Sequence, residues 1–286
     1  MIDLTIVILT LNEEINLPQS LSNICGFASD IFIVDSMSTD RTMEIAAEYG
    51  VKVFKHTFLN YADQRNWALK ELPYRTEWMM FLDADELLSD SLKRELEERL
   101  PYLKGDTCGI EVNRRFFWMG RWIRHGDVYP CWLLRIVRHS KAFCDDRTVN
   151  EHIRVDGKVI RMEGNLDHKD LRSFSDWAKK HLLYADLEAG ELVRAESRRA
   201  SGEAVESARI HGTQSERKRW LREKIWNRLL PPLFRPFIYF IYRYFLKLGF
   251  LDGREGFIYH FLQGLWFQFL IDAYYLERKW RGCGNG

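Results

Sequence analysis

Cysteine is sparse and scattered in this chain. Cys25, Cys108, Cys131, Cys144 and Cys283 form no C-x-x-C pair and have no histidines at zinc-finger spacing. That argues against a disulfide framework or a structural zinc site and for a reducing, cytoplasmic chain. An excess of one charge is missing too. The net charge of +1 supplies no global basic field, so nucleic acid is not an expected partner. No window of about 18 residues is free of charged side chains, and a simple membrane-spanning helix is not expected. The opening MIDLTIVILTLNEE has no basic stretch ahead of its apolar run and reads as a first β-strand, not a cleaved leader. Glycine is absent from the turn after that run, Leu11-Asn12-Glu13-Glu14. A dinucleotide fold would carry G-x-G-x-x-G there, because main-chain amides must come close to phosphate, and a P-loop is equally missing. The lack of a glycine-rich basic loop also disfavours a nucleotidyltransferase.

What is present is a chain of 286 residues, 46% hydrophobic, enough for one large α/β domain with additions or for two small ones. Over residues 4–100, short apolar runs alternate with helical segments. Residues 4–10, 31–34, 51–55 and 78–82 read as strands. Residues 14–24, 42–49, 61–72 and 92–100 read as helices, with caps at Thr39 or Asp40 and near Ser89 or Asp90. Four βα units in succession imply a doubly wound, mostly parallel sheet, since strands covered on both faces are continuously apolar. Residues 109–165 differ, with aromatic strand candidates at 114–122 and 132–137 broken by Gly and Pro, and read as a mixed β region. Residues 173–206 read as helix.

Ligands of such sheets sit at the carboxyl ends of the strands. Thr10, Asn12 and Glu13 follow the first strand, Asp35, Ser36, Ser38 and Asp40 the second, and Asp83, Ala84, Asp85 and Glu86 the fourth. Acidic and hydroxyl groups thus converge on one edge. Two carboxylates one residue apart at a strand end can both face a hard divalent cation, which offsets the charge of a diphosphate. The plain alternative is an acidic strand terminator. A phosphatase of the haloacid-dehalogenase type also uses D-x-D, but after its first strand. Asp35 is placed to accept hydrogen bonds from a base or a ribose, whereas Ser38, Thr39 and Asp40 read as turn and cap residues.

Four stretches, Thr10-Leu11-Asn12-Glu13-Glu14, Ile33-Val34-Asp35-Ser36 with Ser38, Asp40 and Thr42, Gln64-Arg65-Asn66, and Leu82-Asp83-Ala84-Asp85-Glu86, carry a resemblance. In order and spacing they resemble the nucleotide-binding half of the family 2 inverting glycosyltransferases, the GT-A fold. Within that family the chain is similar to bacterial lipopolysaccharide-core β-1,4-glucosyltransferases and lipid-linked glycan enzymes. The resemblance implies an α/β GT-A nucleotide-sugar-binding fold with a mostly parallel sheet. It implies metal-dependent, inverting transfer of a hexose from a nucleotide sugar, UDP-linked by family analogy, with Mg2+ or Mn2+ as cofactor. The acceptor would be a lipid-linked glycan or lipopolysaccharide. Thr10, Asn12, Glu13, Asp35 and Asn66 would line the nucleotide site. Asp83 and Asp85 would contact the metal and the diphosphate.

The chemistry needs a base facing the acceptor. Glu151, in Val149-Asn150-Glu151-His152, is the first choice, with Asp145 and Asp146 in reserve. Relatives often carry Val-His-Glu there, and the shift to Asn150 and His152 leaves a catalytic or metal role open for His152. Arg135 and Arg138 read either as phosphate ligands or as the solvated face of a strand. His168, in Leu166-Asp167-His168-Lys169, reads as a third metal ligand or a structural histidine.

The carboxyl-terminal part is basic and aromatic. Between Arg209 and Arg254 lie eight Arg and three Lys against Glu216, Glu223 and Asp252. Residues 229–250 mix apolar and aromatic side chains with Arg235, Arg243 and Lys247, the make-up of helices lying on an anionic membrane surface, and Pro231, Pro232 and Pro236 keep such helices short. Packing on the core or a homodimer interface is the other use of the same composition. The expected organisation is a nucleotide-sugar half (1–108), an acceptor-side β region (109–170), a helical segment (171–208) and a membrane-associating region (209–286) of a peripheral protein at the cytoplasmic face of the inner membrane. The rival reading is a catalytically silent membrane-associated scaffold.

Overall fold

The structure, a computed structural model, describes residues 1–144, 153–201 and 230–283 and divides into two compact units. The first comprises Met1–Phe117 with Pro130–Leu171, the second Trp118–Tyr129 with Arg172–Gly286.

The first unit is built on β1 (Ile2–Thr10), β2 (Ala28–Asp35), β3 (Lys52–Lys55) and β4 (Trp78–Asp83), which pair in parallel in the order β3-β2-β1-β4. Helices α1 (Leu17–Ile24), α2 (Thr42–Glu48) and α3 (Tyr61–Glu71) make the crossovers. Both faces of the sheet are covered, and side chains alternate between two cores as the pleat requires. Leu4, Ile6 and Ile8 of β1 join Met80 and Leu82 in one cluster, while Val7 joins Phe32, Met79 and Phe81 in the other. This is why the strands read as unbroken apolar runs. The first helix begins at Leu17 and not at residue 14, because Glu13 to Asn16 close a turn through Asn16 N–H to the Glu13 carbonyl. Helix α3 is capped by Asn60, whose side chain accepts from the Asp63 amide.

The remaining elements are β5 (Glu86–Leu88), α4 (Asp90–Arg99), β6 (Thr107–Trp118), β7 (Arg121–Ile123), β8 (Trp132–Arg138), β9 (Ala142–Cys144), β10 (Ile153–Val155) and β11 (Lys158–His168). Ser89 caps α4 as its sequence position predicts. The strand foreseen over 114–122 starts earlier and stops at Trp118, because Met119 and Gly120 both have positive φ (49° and 81°) and turn the chain. The sheet continues β4-β8-β6-β11-β5, with β8 antiparallel to β4 and β6, β11 parallel to β6, and β5 antiparallel to β11.

This order places a strong constraint on shape within the unit. Strands β4 and β5 stand four places apart in the sheet, about 19 Å if it were flat. Only Ala84 and Asp85 separate them in sequence, so the Cα atoms of Asp83 and Glu86 lie within about 11 Å. The sheet therefore curls. Pairing of β8 with β4 stops at Met80, and the strands diverge beyond it. The acidic turn sits at that mouth.

In the second unit, α5 (Phe174–Ala200) packs on α8 (Phe267–Cys283) through Ala185, Phe267 and Ile271. Between them in the chain come α6 (Arg235–Ile241), a π turn (Tyr242–Leu246) and α7 (Gly253–His260). Asp252, buried, accepts from the Arg124 and His125 amides and from His125 Nδ1 at 2.7–3.1 Å. His260 is fully buried, and neither ring nitrogen has a hydrogen-bond partner. Gly126, at φ +71°, lies flat against its ring, where a Cβ would come within 2.1 Å. Burial, reinforced by Arg243 and His125 against the pull of Asp252, pushes the His260 imidazole down to about 3.

Two outcomes follow. Gly164 of β11 lies against the main chain of α4, and a Cβ there would sit 2.3 Å from Leu92 Cα. Gly164→Ala is expected to cost about 1–3 kcal/mol in urea unfolding, since backbone cannot yield as a flexible side chain does. For His260, only the unfolded chain takes up a proton near its ordinary value of 6.5. Its contribution to stability is whole above that pH and is lost as pH falls toward 3. Unfolding midpoints measured down this range should fall more steeply in the wild type than in His260→Leu.

Candidate active site

The loops leaving β1 and β2 are joined by hydrogen bonds before any ligand is considered. Thr10 Oγ1 donates to Asp35 Oδ1 at 2.8 Å, Ser38 Oγ to the same oxygen at 2.5 Å, and the Ser38 amide to Asp35 Oδ2 at 2.8 Å. Thr10 and Asp35 are buried. Asn12, in the left-handed region at φ 56°, donates its amide to Ser38 Oγ and accepts from the Thr39 amide, both at 2.9 Å. The Glu13 amide donates to Thr42 Oγ1, and the Glu13 carboxylate accepts from Asn16 Nδ2. Asp40 accepts from the Glu14 and Thr42 amides, so it ties the loop to the first turn of α2. Thr10, Asn12, Glu13 and Asp35 therefore form one connected edge.

At the mouth between β4 and β8, Arg135 is the central group. Its Nη2 donates to Asp83 Oδ2 and, at 2.7 Å, to Glu86 Oε1. Glu86 Oε2 accepts from the Asp83 amide at 3.2 Å, and Arg114 Nη1 stands 3.8 Å from Glu86 Oε1. The Glu86 side chain is fully enclosed and that of Arg135 nearly so, while Asp83 is 41% exposed. Burial pushes the Glu86 carboxyl up; Arg135 and Arg114 oppose this, and Asp83 and Asp85 add to it. At Asp83 burial is outweighed by Arg135, Arg65 and Arg114, which hold its carboxyl well below the usual carboxylate range. The guanidinium of Arg135 stays charged, since the two carboxylates overcome its own desolvation.

Asp85 faces the other way. Register pairing sets His168 of β11 against Glu86 of β5, and the Lys169 amide donates to the Asp85 carbonyl at 2.8 Å. This brings His168 Nδ1 to 3.2 Å from Asp85 Oδ1, where the nitrogen is buried without a hydrogen-bond partner. The ring stacks on Phe116 at 5.0 Å between centroids. Of the three residues expected to hold a metal, Asp85 and His168 are adjacent, and Asp83 is turned to Arg135. Among the described residues no three His, Cys, Asp or Glu side chains form a ready-made metal cluster. A carboxylate beside an imidazole nitrogen that makes no hydrogen bond still fits a divalent cation that takes its other ligands from phosphate oxygens and water.

Asn66 bonds the main chain of Cys144 on both sides, Nδ2 to the carbonyl at 3.0 Å and Oδ1 from the amide at 2.8 Å. One N–H and one lone pair remain for a ligand. Glu151, with Asp145, Asp146, Asn150 and His152, lies outside the described residues. The solvated-face reading of Arg135 and Arg138 is corrected, because both are buried. Three residues apart on a strand, they point to opposite faces. Arg138 donates to the Thr107 and Lys104 carbonyls, pairs with Glu77 and covers the Trp78 ring. Sequence reasoning gave no role to Glu86 or Arg114. The signal for Glu86 was a third acid heading an apolar pair, Glu86-Leu87-Leu88.

Glycosyl transferase family 2 matches residues 5–141. An uncharacterized glycosyltransferase of Rickettsia prowazekii (strain Madrid E) is 31% identical over 266 residues, covering 88% of this chain and 79% of the relative. The chain belongs to glycosyl transferase family 2. An uncharacterized glycosyltransferase of Rickettsia typhi (strain ATCC VR-144 / Wilmington) is 24% identical over 264 residues, with the same coverage of 88% and 79%. Two solved structures are loosely similar. S. aureus TarS 1–349 in complex with UDP-GlcNAc has 12% identity and a TM-score of 0.42, covering 98% of this chain and 92% of that one. Glucosyl-3-phosphoglycerate synthase from Mycobacterium tuberculosis, in complex with Mn2+, UDP and glucosyl-3-phosphoglycerate, has 13% identity and a TM-score of 0.43, covering 72% and 82%.

In this glycosyltransferase the acidic turn depends on its arginine. Arg135→Ala strands the enclosed Glu86 carboxylate and should destabilise the protein by about 3–5 kcal/mol. Glu86→Gln keeps the shape, and adding it to Arg135→Ala should recover part of the loss. Denaturant unfolding of the single and double variants checks this, and strict additivity would show that the two side chains are not coupled.

Proposed function

We propose that the enzyme moves a hexose, with inversion, from a UDP-linked donor to a lipid-linked glycan or lipopolysaccharide acceptor. It would work as a peripheral protein at the cytoplasmic face of the inner membrane. The observation that carries the reading is the meeting of Asp85 with His168 Nδ1, a buried nitrogen that makes no hydrogen bond, beside an arginine-bound acidic turn, in a chain of this family.

Asp85 and His168 would hold Mg2+ or Mn2+, whose charge offsets that of the donor diphosphate. Asp35, fixed by Thr10 and Ser38, accepts hydrogen bonds from the base or ribose, and Asn12, Glu13 and Asn66 are assigned the remaining nucleotide contacts. Arg135 holds Asp83 and Glu86 together and offsets their repulsion, which leaves Asp85 of the same turn for the cation. Glu151 serves as the base: it takes the proton of the acceptor hydroxyl as that oxygen bonds to the anomeric carbon and the carbon–oxygen bond to the diphosphate breaks. The hexose, the UDP carrier and the acceptor class rest on the family resemblance of the motifs, and the membrane location on the aromatic carboxyl-terminal unit.

A panel of nucleotide sugars with and without Mn2+ or Mg2+ tests the donor and the cation by thermal shift. The right donor at a hundred times its dissociation constant should stabilise the fold by about 2.7 kcal/mol. Asp85→Ala should remove the cation-dependent part of the shift and lower transfer at least about a hundredfold, with the ligand-free melting temperature unchanged. A panel in which no donor shifts the melt with either cation would overturn the reading.

A further inference from the structure

The carboxyl-terminal unit carries a segment whose burial is inverted. Of the four charged residues between Phe234 and Asp252, three are turned inward. Arg235 makes a buried ion pair with Asp272, donating through Nε at 2.7 and 2.9 Å. Arg243, also buried, donates to the Gly126 carbonyl at 2.8 Å and lies between the rings of Tyr239 and Tyr259. Asp252 is the buried acceptor of the Arg124 and His125 amides. What faces outward is apolar: Phe237, Phe245, Leu246, Phe250, Phe257 and Phe261 are all exposed, Leu246 to 72%.

Four of these side chains, Phe245, Phe250, Phe257 and Phe261, are joined in one surface, with Leu246 next to Phe245 in the chain. Phe240 and Tyr244, stacked at 5.3 Å, sit half-buried at its centre. The rings of Phe257 and Phe261 touch Phe240, and those of Phe245, Phe250 and Phe257 touch Tyr244. Isolated exposed apolar residues need no explanation, but a contiguous set marks a contact surface. Its chemistry selects the occupant. A protein partner's interface brings polar groups and salt links at its rim. Here the outward cations beside the rings are Lys247, whose Nζ lies 5.5 Å over the Tyr242 ring, and Arg254, whose side chain is 84% exposed and pairs with Glu255; long cationic side chains of this kind lay their stems along apolar surface while the charge reaches lipid phosphate.

We propose that this surface docks the enzyme on a lipid bilayer by inserting aromatic and aliphatic side chains to the headgroup–acyl boundary, with headgroup charge a secondary contribution. Insertion is shallow. Among the described residues no helix is long and apolar enough to cross a membrane. The segment is also a series of short helical pieces whose main-chain ends need water. The inward turn of Arg235 and Arg243 corrects the expectation that they meet anionic lipid. The inference deepens the membrane-facing part of the proposed function and rests on it for the lipid-borne acceptor, though the docking itself needs no turnover.

Flotation of the full-length protein with phosphatidylcholine vesicles, with and without phosphatidylglycerol and at low and high salt, tests the proposal. The protein should float with pure phosphatidylcholine, and high salt should weaken binding less than about twofold. Phe245→Glu/Leu246→Glu should lower the bound fraction at least about tenfold, and Lys247→Gln less than about twofold. An unchanged melting temperature shows that the double variant folds; if it falls, Leu246→Ser alone carries the test, with an expected loss of about threefold. Three results would each sink the proposal: no binding without phosphatidylglycerol, equal flotation of the glutamate variant, or a lipid-free dimer that the glutamate variant dissociates. Hydrolysis of a soluble nucleotide sugar, assayed alongside, separates the two readings, since its failure with normal flotation counts against the transfer reaction alone.

Discussion

Arg135 reaches from β8 across a gap in the sheet to Asp83 and Glu86, and the rest of the candidate site is arranged around that reach. The gap exists because β4 and β5 are separated by two residues in the chain and by three strands in the sheet. A sheet forced to curl in this way leaves the carboxyl end of β4 without a hydrogen-bonded neighbour on one side, and three acids crowd into the turn. Without a cation among them they would repel one another in a region where water is largely excluded. The guanidinium resolves this with two donors from one nitrogen and, being buried itself, depends on the carboxylates as much as they depend on it.

The amino-terminal half was legible because its physics is local. Strands covered on both faces must be apolar throughout, helices show their caps, and the polar residues of a parallel sheet lie where the strands end. The four βα units, the capping by Ser89 and the placing of Thr10, Asp35 and Asp83 at neighbouring strand ends all follow from such short-range patterns. What did not follow depends on distant partners. Three residues are too few to announce β5 as a strand, and it exists because β11 pairs with it eighty residues later. Arg135 and Arg138 look like solvent-facing residues until the strands flanking β8 are known. The Met119-Gly120 turn was hidden because methionine rarely takes positive φ.

The second unit shows the same limit in another form. Composition marks it as basic and aromatic, and that description is correct residue by residue. Which residues face out is decided by partners far along the chain: Asp272 for Arg235, and Gly126 for Arg243. Once those charges are drawn inward, the character of the surface changes from cationic to oily. Average composition could not anticipate that exchange.

The bridge between Arg135 and the acidic turn also has a direction in time. Asp83 and Glu86 leave the ribosome about fifty residues ahead of the arginine that neutralises them, as the separations of 52 and 49 positions require. Through that interval the nascent βα half holds the carboxylate of Glu86 without the Arg135 hydrogen bond that lets it be enclosed, with Arg114 arriving first, so this corner must stay open to water or protonated until then. The half that looks self-sufficient in sequence cannot close on its own during synthesis. Completion waits for β8, and β11 must follow before His168 can meet Asp85. The polypeptide assembles its chemistry last, after the scaffold that displays it.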